Sequence, residues 1–378
     1  MKILIAGDYC PRDRVVKAIE EGMPIFSNAV VQKIHKVDYA IVNFECSVAD
    51  ASMKPIPKCG PHLRCSEGSV VALKDAGFKC VTLANNHFRD FGSEGVRRTI
   101  EVLEGSQIDH VGGGNAINDA TAVLYKQIDG KTIAFINVCE NEFSIADAHR
   151  GGSAPLDIVD VSRRLLESRK QADYVVLIIH GGHEHFQYPS PRMVKLYRFF
   201  VEMGADAVVN HHQHCYSGCE VYREKPIIYG LGNFCFDHPK KRVGIWNEGY
   251  MVVLELSEKG ISYELIPYTQ CDENPAVDLM MGEQRQVFYE RLSSISHTIS
   301  DEALLANEYN TYINRRRQTV ITPLTPYLSE YARAAAGRHY LPYLIPHKKL
   351  ADILNYIQCE SQRDVLTKVM QERLEKRI

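Results

Sequence analysis

The sequence predicts an α/β layered fold, and three observations carry that reading. Apolar runs recur along the first 210 residues, segments of helical periodicity separate them, and metal-ligand residue types stand where the runs end. The runs are KILIAG (2–7), DYAIVNF (38–44), KCVTLA (79–84), TIAFINV (132–138), DYVVLII (173–179) and DAVVN (206–210). They are apolar throughout rather than alternating, the pattern of strands covered on both faces. Helical segments fall near 67–77, 93–105, 157–172 and 191–204, which gives the strand–helix alternation of an α/β protein. In KDAGF and VEMGAD a glycine stands where a helix should stop before the next strand. From EKPIIYGLGNF to GISYELIPY the runs become shorter and hairpin-like.

After Pro267 the composition shifts. Residues 275–378 read as helix, through VFYERLSSISHTI, ISDEALLANEYNTYINRRR and a last stretch from KKLADILNYI to QERLEKRI, with Pro323, Pro326, Pro342 and Pro346 in between. The expected organisation is a layered domain over 1–270 and a helical C-terminal region over 275–378. That region holds only scattered histidines (His297, His339, His347), so it is expected to be accessory, serving homo-oligomerisation through its helices, lidding of the crevice, docking of a partner or simply packing.

Bulk composition narrows the function. A hydrophobic content of 45% and a charged content of 24% are those of a folded globular chain. The net charge of −3 gives no footprint for nucleic acid or an anionic membrane. The 11 cysteines are scattered and mostly embedded in apolar runs, which predicts reduced thiols and an intracellular setting. MKILIAGDYCPRDR is too short an apolar run for a signal peptide, and no stretch of about 18 apolar residues predicts a transmembrane anchor. A cytoplasmic location is expected.

The chemistry lies at the strand ends. The first run ends in Gly7-Asp8, the second in Asn43-Phe44-Glu45, and the third in Asn85-Asn86-His87, followed by Asp90. The run at 173–179 ends in His180-Gly-Gly-His183-Glu184-His185, and that at 206–210 in His211-His212-Gln213-His214. Six of the 15 histidines fall between 180 and 214, a clustering that a solvated surface does not require. In α/β sheets the carboxyl ends of strands line the ligand crevice, so these groups should converge. Mixed oxygen and nitrogen donors suit manganese, zinc or iron. Four to seven ligands exceed one tetrahedral ion and fit two divalent transition-metal ions about 3.5–4 Å apart.

The ordered motifs GD, NFE, LANNHxxDxG, HGGxE, GADxVVxHHxH and YGLGNFxFD closely resemble the CapA family, the capsule or poly-γ-glutamate biosynthesis proteins of calcineurin-like metallophosphatase fold. The resemblance spans about residues 1–270. It implies a four-layer α/β/β/α sandwich, a two-metal site with Asp8, Glu45, Asn86, His180, His212 and His214 as ligands, and His87 as the catalytic histidine. Read extended, the His-x-His pair would send His212 and His214 to one side and His211 elsewhere, as a donor behind the ligands. Asn43, Asp90, His183, Glu184, His185 and His211 are expected around the ligands or the substrate. Arg64, in PHLRCSEGS, is the leading candidate to grip an anion; Arg12 and Arg14 are weaker ones. The chain departs from the wider superfamily at Asp8-Tyr9-Cys10, where Asp-x-His is usual, and Cys10 is read as a buried thiol.

These features predict a metal-dependent hydrolase, most simply a phosphoesterase, acting on a phosphorylated or anionic small molecule or polymer. An activated water would attack phosphorus, the ions and an arginine would hold the developing charge, and His87 would give the proton. Two alternatives are a noncatalytic component of a polymer-synthesis complex and amide-bond chemistry on a γ-glutamyl chain.

Overall fold

The computed structural model describes residues 1–258, 260–321 and 347–375; the proline-punctuated stretch and His339 lie outside them. The first apolar run becomes strand Lys2–Tyr9, and its two faces meet different partners. Ile3 and Ile5 pack in the cluster that includes the second sheet, whereas Leu4 and Ala6 pack with the helices outside. Burial on both sides is why the run lacks polar alternation. This strand lies inside an eight-stranded sheet. It pairs in parallel with Tyr39–Phe44, which continues to Cys80–Thr82 and Asp109–Val111, and antiparallel with Glu248–Ser257, which continues to Gly260–Gln270 and Val277–Leu279. Asn233–Cys235 joins the far end of Lys2–Tyr9.

The second sheet has six strands, in the order Cys219–Tyr222, Lys225–Ile228, Ala207–His211, Tyr174–His180, Lys131–Cys139 and Leu124–Ile128. The sheets meet face to face, with the rings of Tyr39 and Phe135 stacked at 5.6 Å between them. Helices Arg14–Glu20, Asn28–His35, Glu67–Ala76 and Gly92–Gly105 cover the outer face of the first sheet. Ile158–Ser168 and Pro191–Glu202 bury Val161, Leu165, Met193, Tyr197 and Phe200 against the second. The result is the α/β/β/α sandwich. Helix boundaries follow local chemistry. Asp157 and Ser190 accept hydrogen bonds from the third residue beyond them, and Gly77 and Gly204 stop their helices at φ +99° and +114°.

The C-terminal helices are less separate than composition suggested. Helix Gly282–Ser300 contributes Phe288, Leu292, Ile295 and Ile299 to the core cluster shared by both sheets, and Leu305 of helix Glu302–Ile321 joins them. A boundary at residue 275 therefore passes through one hydrophobic core. The remaining helices, His347–Gln358 and Glu360–Glu375, form a hairpin packed on Glu302–Ile321 through Ile313, Val320, Tyr356, Val365 and Val369. No helix of the described residues is long and apolar enough to cross a membrane.

Candidate metal centre

Strand register brings the motif residues to one edge. Asp8 stands level with Asn43 in the first sheet, and His180 stands level with both His211 and Cys139 in the second. Since all these strands run parallel, their carboxyl ends share a side, and the two sheets present those ends to each other. There two donor groups form, Glu45 with His180 and His212, and Asp8 with Glu45 and His214, the ligand atoms of each lying within 4.8 Å of one another. Glu45 belongs to both. Its Oε1 is 3.6 Å from His180 Nε2 and 3.7 Å from His214 Nε2. The Asn86 carboxamide oxygen lies 3.0 Å from His180 Nε2, and His212 Nδ1 also lies 3.0 Å from it.

The electrostatics of this pocket call for cations. Both Glu45 carboxylate oxygens and Asp8 Oδ2 are buried with no hydrogen-bond partner. Such groups are costly unless paired or bound to metal. Burial, with the Asp8 carboxylate beside it, drives the Glu45 carboxyl well above its ordinary pKa. Burial lowers the imidazoles, His180 far below its usual value and His214 to about 4. Neutral imidazoles and unpaired carboxylates are the donor forms that divalent transition ions take. The residues present therefore fit bound metal, with Glu45 common to both donor groups.

Each imidazole is also held from behind. His214 Nδ1 lies 2.9 Å from the Asn233 carboxamide oxygen, leaving Nε2 toward Glu45. His180 Nδ1 lies 3.2 Å from the Asn43 carboxamide, whose Nδ2 also donates to Asp8 Oδ1 at 2.8 Å. His212 Nε2 faces Glu142 Oε1 at 3.8 Å, so Nδ1 is its inward nitrogen. Partners on the outer nitrogen fix ring orientation and tautomer, as in known metal sites.

The backbone delivers the histidines differently from the extended reading. The strand stops at His211, and His212 and His214 adopt φ +94° and +54°. Left-handed backbone is strained for residues with a Cβ and concentrates at functional sites. Left-handed backbone, rather than an extended strand, carries both residues into the cluster. His211 stands behind the ligands: its Nδ1 lies 3.2 Å from Asp8 Oδ1, and although burial would raise the Asp8 carboxyl, His211 and His214 hold it below its usual value.

His87 sits beside the donors and is buried. Its Nδ1 lies 2.7 Å from Asp90 Oδ2, and the Lys58 ammonium, 3.1 Å from Nδ1, also pairs with Asp90. Burial, then the Lys58 charge, lowers the His87 pKa while Asp90 opposes them. Sequence reading missed Lys58. It lies in the loop PIPKCGPHLRC, far from any strand end, which folds back on Asp90 through hydrogen bonds from Ile56 N to the Asp90 carbonyl and from Leu63 N to Asp90 Oδ2. Glu142 was missed likewise, three residues past the end of its strand. Burial raises its carboxyl to about 7, with His212 pulling the other way.

Several expected residues are elsewhere. Arg64 is exposed, donates to the Asp50 carbonyl at 3.2 Å and lies over the Phe91 ring, so its contacts are all outside the cluster. Arg14 is bound to Asp237 and to the carbonyls of 271–273. His183 is fully buried without a polar partner, among the rings of Phe186, Tyr309 and Tyr312, because helix Glu302–Ile321 closes over it. Glu184 and His185, by contrast, border the cluster: burial would raise the Glu184 carboxyl, but the imidazoles of His214, His212, His185 and His87 hold it to about 2, the His185 ring lies 6.1 Å from that of His214, and Lys241 Nζ lies 3.0 Å from His185 Nε2. Cys10 is a buried free thiol, as are Cys46 and Cys65 nearby.

The model of the bacterial capsule synthesis protein PGA_cap matches residues 2–238. Over 208 residues the chain is 34% identical to the capsule biosynthesis protein CapA of Bacillus anthracis, covering 53% of this chain and 51% of that protein. Over 244 residues it is 32% identical to the PGA biosynthesis protein CapA of Bacillus subtilis strain 168, covering 63% of each. The chain thus spans between half and two thirds of these relatives. A solved structure of a putative 5'-nucleotidase from Staphylococcus aureus in complex with α-ketoglutarate covers 78% of this chain and 58% of its own, at 16% identity and a TM-score of 0.46, too distant a likeness to bear on the chemistry. With the family model matched across both sheets and the candidate centre, this chain belongs to the bacterial capsule synthesis protein family PGA_cap.

Proposed function

We propose that the chain is a binuclear metal-dependent phosphoesterase serving the production of a capsule or poly-γ-glutamate polymer. The observation that carries this reading is the sharing of Glu45 between two donor groups with a histidine–aspartate pair alongside. Asp8, Glu45, Asn86, His180, His212 and His214 would hold the ions. When bound, such ions supply Lewis-acid polarisation of a phosphoryl oxygen and lower the pKa of water. His87 acts on the leaving group. Asp90 engages Nδ1 and fixes the ring, which leaves Nε2 to carry the proton to the departing oxygen. Lys58 neutralises Asp90 and so keeps the pair compact in its buried setting.

The test is turnover of p-nitrophenyl phosphate by the full chain after loading with manganese, zinc or iron. Release of nitrophenolate that depends on both metal and His180 supports the reading. A fully metal-loaded chain inert toward aryl and alkyl phosphates would instead favour a noncatalytic role in polymer assembly.

A further inference from the structure

Beside the candidate metal centre lies a cavity of about 700 Å³, within the ~300–1,000 Å³ typical of organic-ligand sites and more than a lone phosphate requires. Glu142, the carboxylate facing His212 at 3.8 Å, is part of its lining. Ile56-Pro57, directly before Lys58, and Leu354 and Gln358 of the C-terminal hairpin line it as well. The cavity therefore adjoins the centre and is completed by helix His347–Gln358, outside the matched family region.

The hairpin is anchored where this matters. Glu360 accepts from the backbone and side-chain nitrogens of Asn141 at 2.9 and 2.7 Å, and Gln358 donates to the Glu142 carbonyl at 3.1 Å. Ser361 donates to Glu140 at 2.8 Å, and Arg192 ties Glu140 to Asp364. The segment after Lys131–Cys139 that carries Glu142 is thus tied to the hairpin, and Gln358, one of the tying residues, also lines the cavity.

The cavity's charges are unequal in their commitments. Arg150 is already paired with Asp147. Arg89 is not: its Nε is buried without a partner, and its Nη1 reaches the Phe143 carbonyl only at 3.4 Å. A guanidinium keeps its charge and has five donors, so most of those on Arg89 remain for a ligand. Ile56, Pro57 and Leu354 give the same cavity apolar surface, which suits a short carbon chain.

We propose that this cavity is a subsite for the part of the substrate remote from the reacting phosphate, and that Arg89 there holds a second anionic group, a carboxylate or a second phosphate. The inference rests on the phosphoesterase reading and names the substrate class, an ester carrying an anion on its leaving portion.

Three non-hydrolysable probes of equal chain length test it: butylphosphonate, 4-phosphonobutyrate and butane-1,4-diphosphonate, titrated calorimetrically into the manganese-loaded full chain. A charge-assisted contact predicts that one or both of the doubly anionic probes bind about tenfold tighter than butylphosphonate. Preference for the carboxylate or the diphosphonate identifies which anion the subsite takes. Arg89→Gln should collapse that ratio to within twofold. Leu354→Glu, a change on the exposed hairpin face, should shrink it too by placing a carboxylate in the wall. Equal affinity for all three probes in the wild type, or a ratio untouched by both variants, overturns the subsite. The two readings separate cleanly. A chain that hydrolyses p-nitrophenyl phosphate but ranks the probes equally loses the subsite alone. One that ranks them as expected yet hydrolyses no phosphate ester loses the reaction alone.

Discussion

His87 Nδ1 lies 2.7 Å from Asp90 Oδ2. With that nitrogen engaged, the ring has one nitrogen left for proton transfer, and the neighbouring Asn86 already offers an oxygen to the donor cluster. His87→Ala should leave metal content unchanged and slow an alkyl phosphate by about 10²–10⁴-fold. The loss should be much smaller on p-nitrophenyl phosphate, whose leaving group needs no proton. Equal losses on both substrates, or a lost ion, would make His87 a ligand or a structural residue.

Lys58 and Asp90 form an ion pair in which the side chains are 3% and 0% exposed. Removing one member of such a pair strands the other charge, at a cost of roughly 3 kcal/mol. Lys58→Met should therefore lower the unfolding midpoint clearly, and Lys58→Met combined with Asp90→Asn should recover most of the loss. A double variant no more stable than the single one would show that the pair is not coupled.

Glu140 links the hairpin to the second sheet, and its titration should be visible. Burial alone would raise its carboxyl, but the Arg192 guanidinium and the Ser361 hydroxyl outweigh it and hold the pKa below the ordinary value. A carboxyl depressed in the folded state contributes stability that is complete above its unfolded pKa, about 4.3, and is lost as pH falls through the folded value. Thermal unfolding followed from pH 7 downward should show the wild type losing more stability than Glu140→Gln below about pH 4.5. Parallel curves would mean that the carboxylate contributes nothing.

Phe288 stands at 0% exposure in the core cluster of both sheets, with its ring 4.5 Å from that of Tyr216. Phe288→Ala should cost about 3–5 kcal/mol, the usual penalty for emptying a buried aromatic site. Urea unfolding would measure it. A loss under 1 kcal/mol would mean that helix Gly282–Ser300 is an appendage after all.

Most of the sandwich was legible because its strands are buried on both faces and so read as unbroken apolar runs, as Lys2–Tyr9 and Tyr174–His180 do. The donor residues were legible for a related reason: parallel strands put their ends on one side, so Asp8, Glu45, Asn86 and His180 could be placed together by counting from strand ends. What failed was whatever depended on backbone turns or long-range packing. No local pattern foretells the left-handed backbone that carries His212 and His214 into the cluster. Lys58 and Glu142 reach the site from loops whose path is set by contacts far along the chain. His183 looked like one more imidazole of a cluster, but the helix that buries it begins more than a hundred residues later. The core role of Gly282–Ser300 was hidden by its mixed composition, since only one face of the helix is apolar.

The central claim is that Glu45 joins two metal sites, and metal content measures it directly. Full-length protein purified without a chelating tag and reconstituted with manganese, zinc or iron should approach two ions per chain by elemental analysis. Glu45→Gln keeps the side chain's shape and removes its charge, so it should lower occupancy at both sites together, to less than one ion per chain. A folded Glu45→Gln chain that still holds two ions, or a wild type that binds none under any loading, would contradict the account.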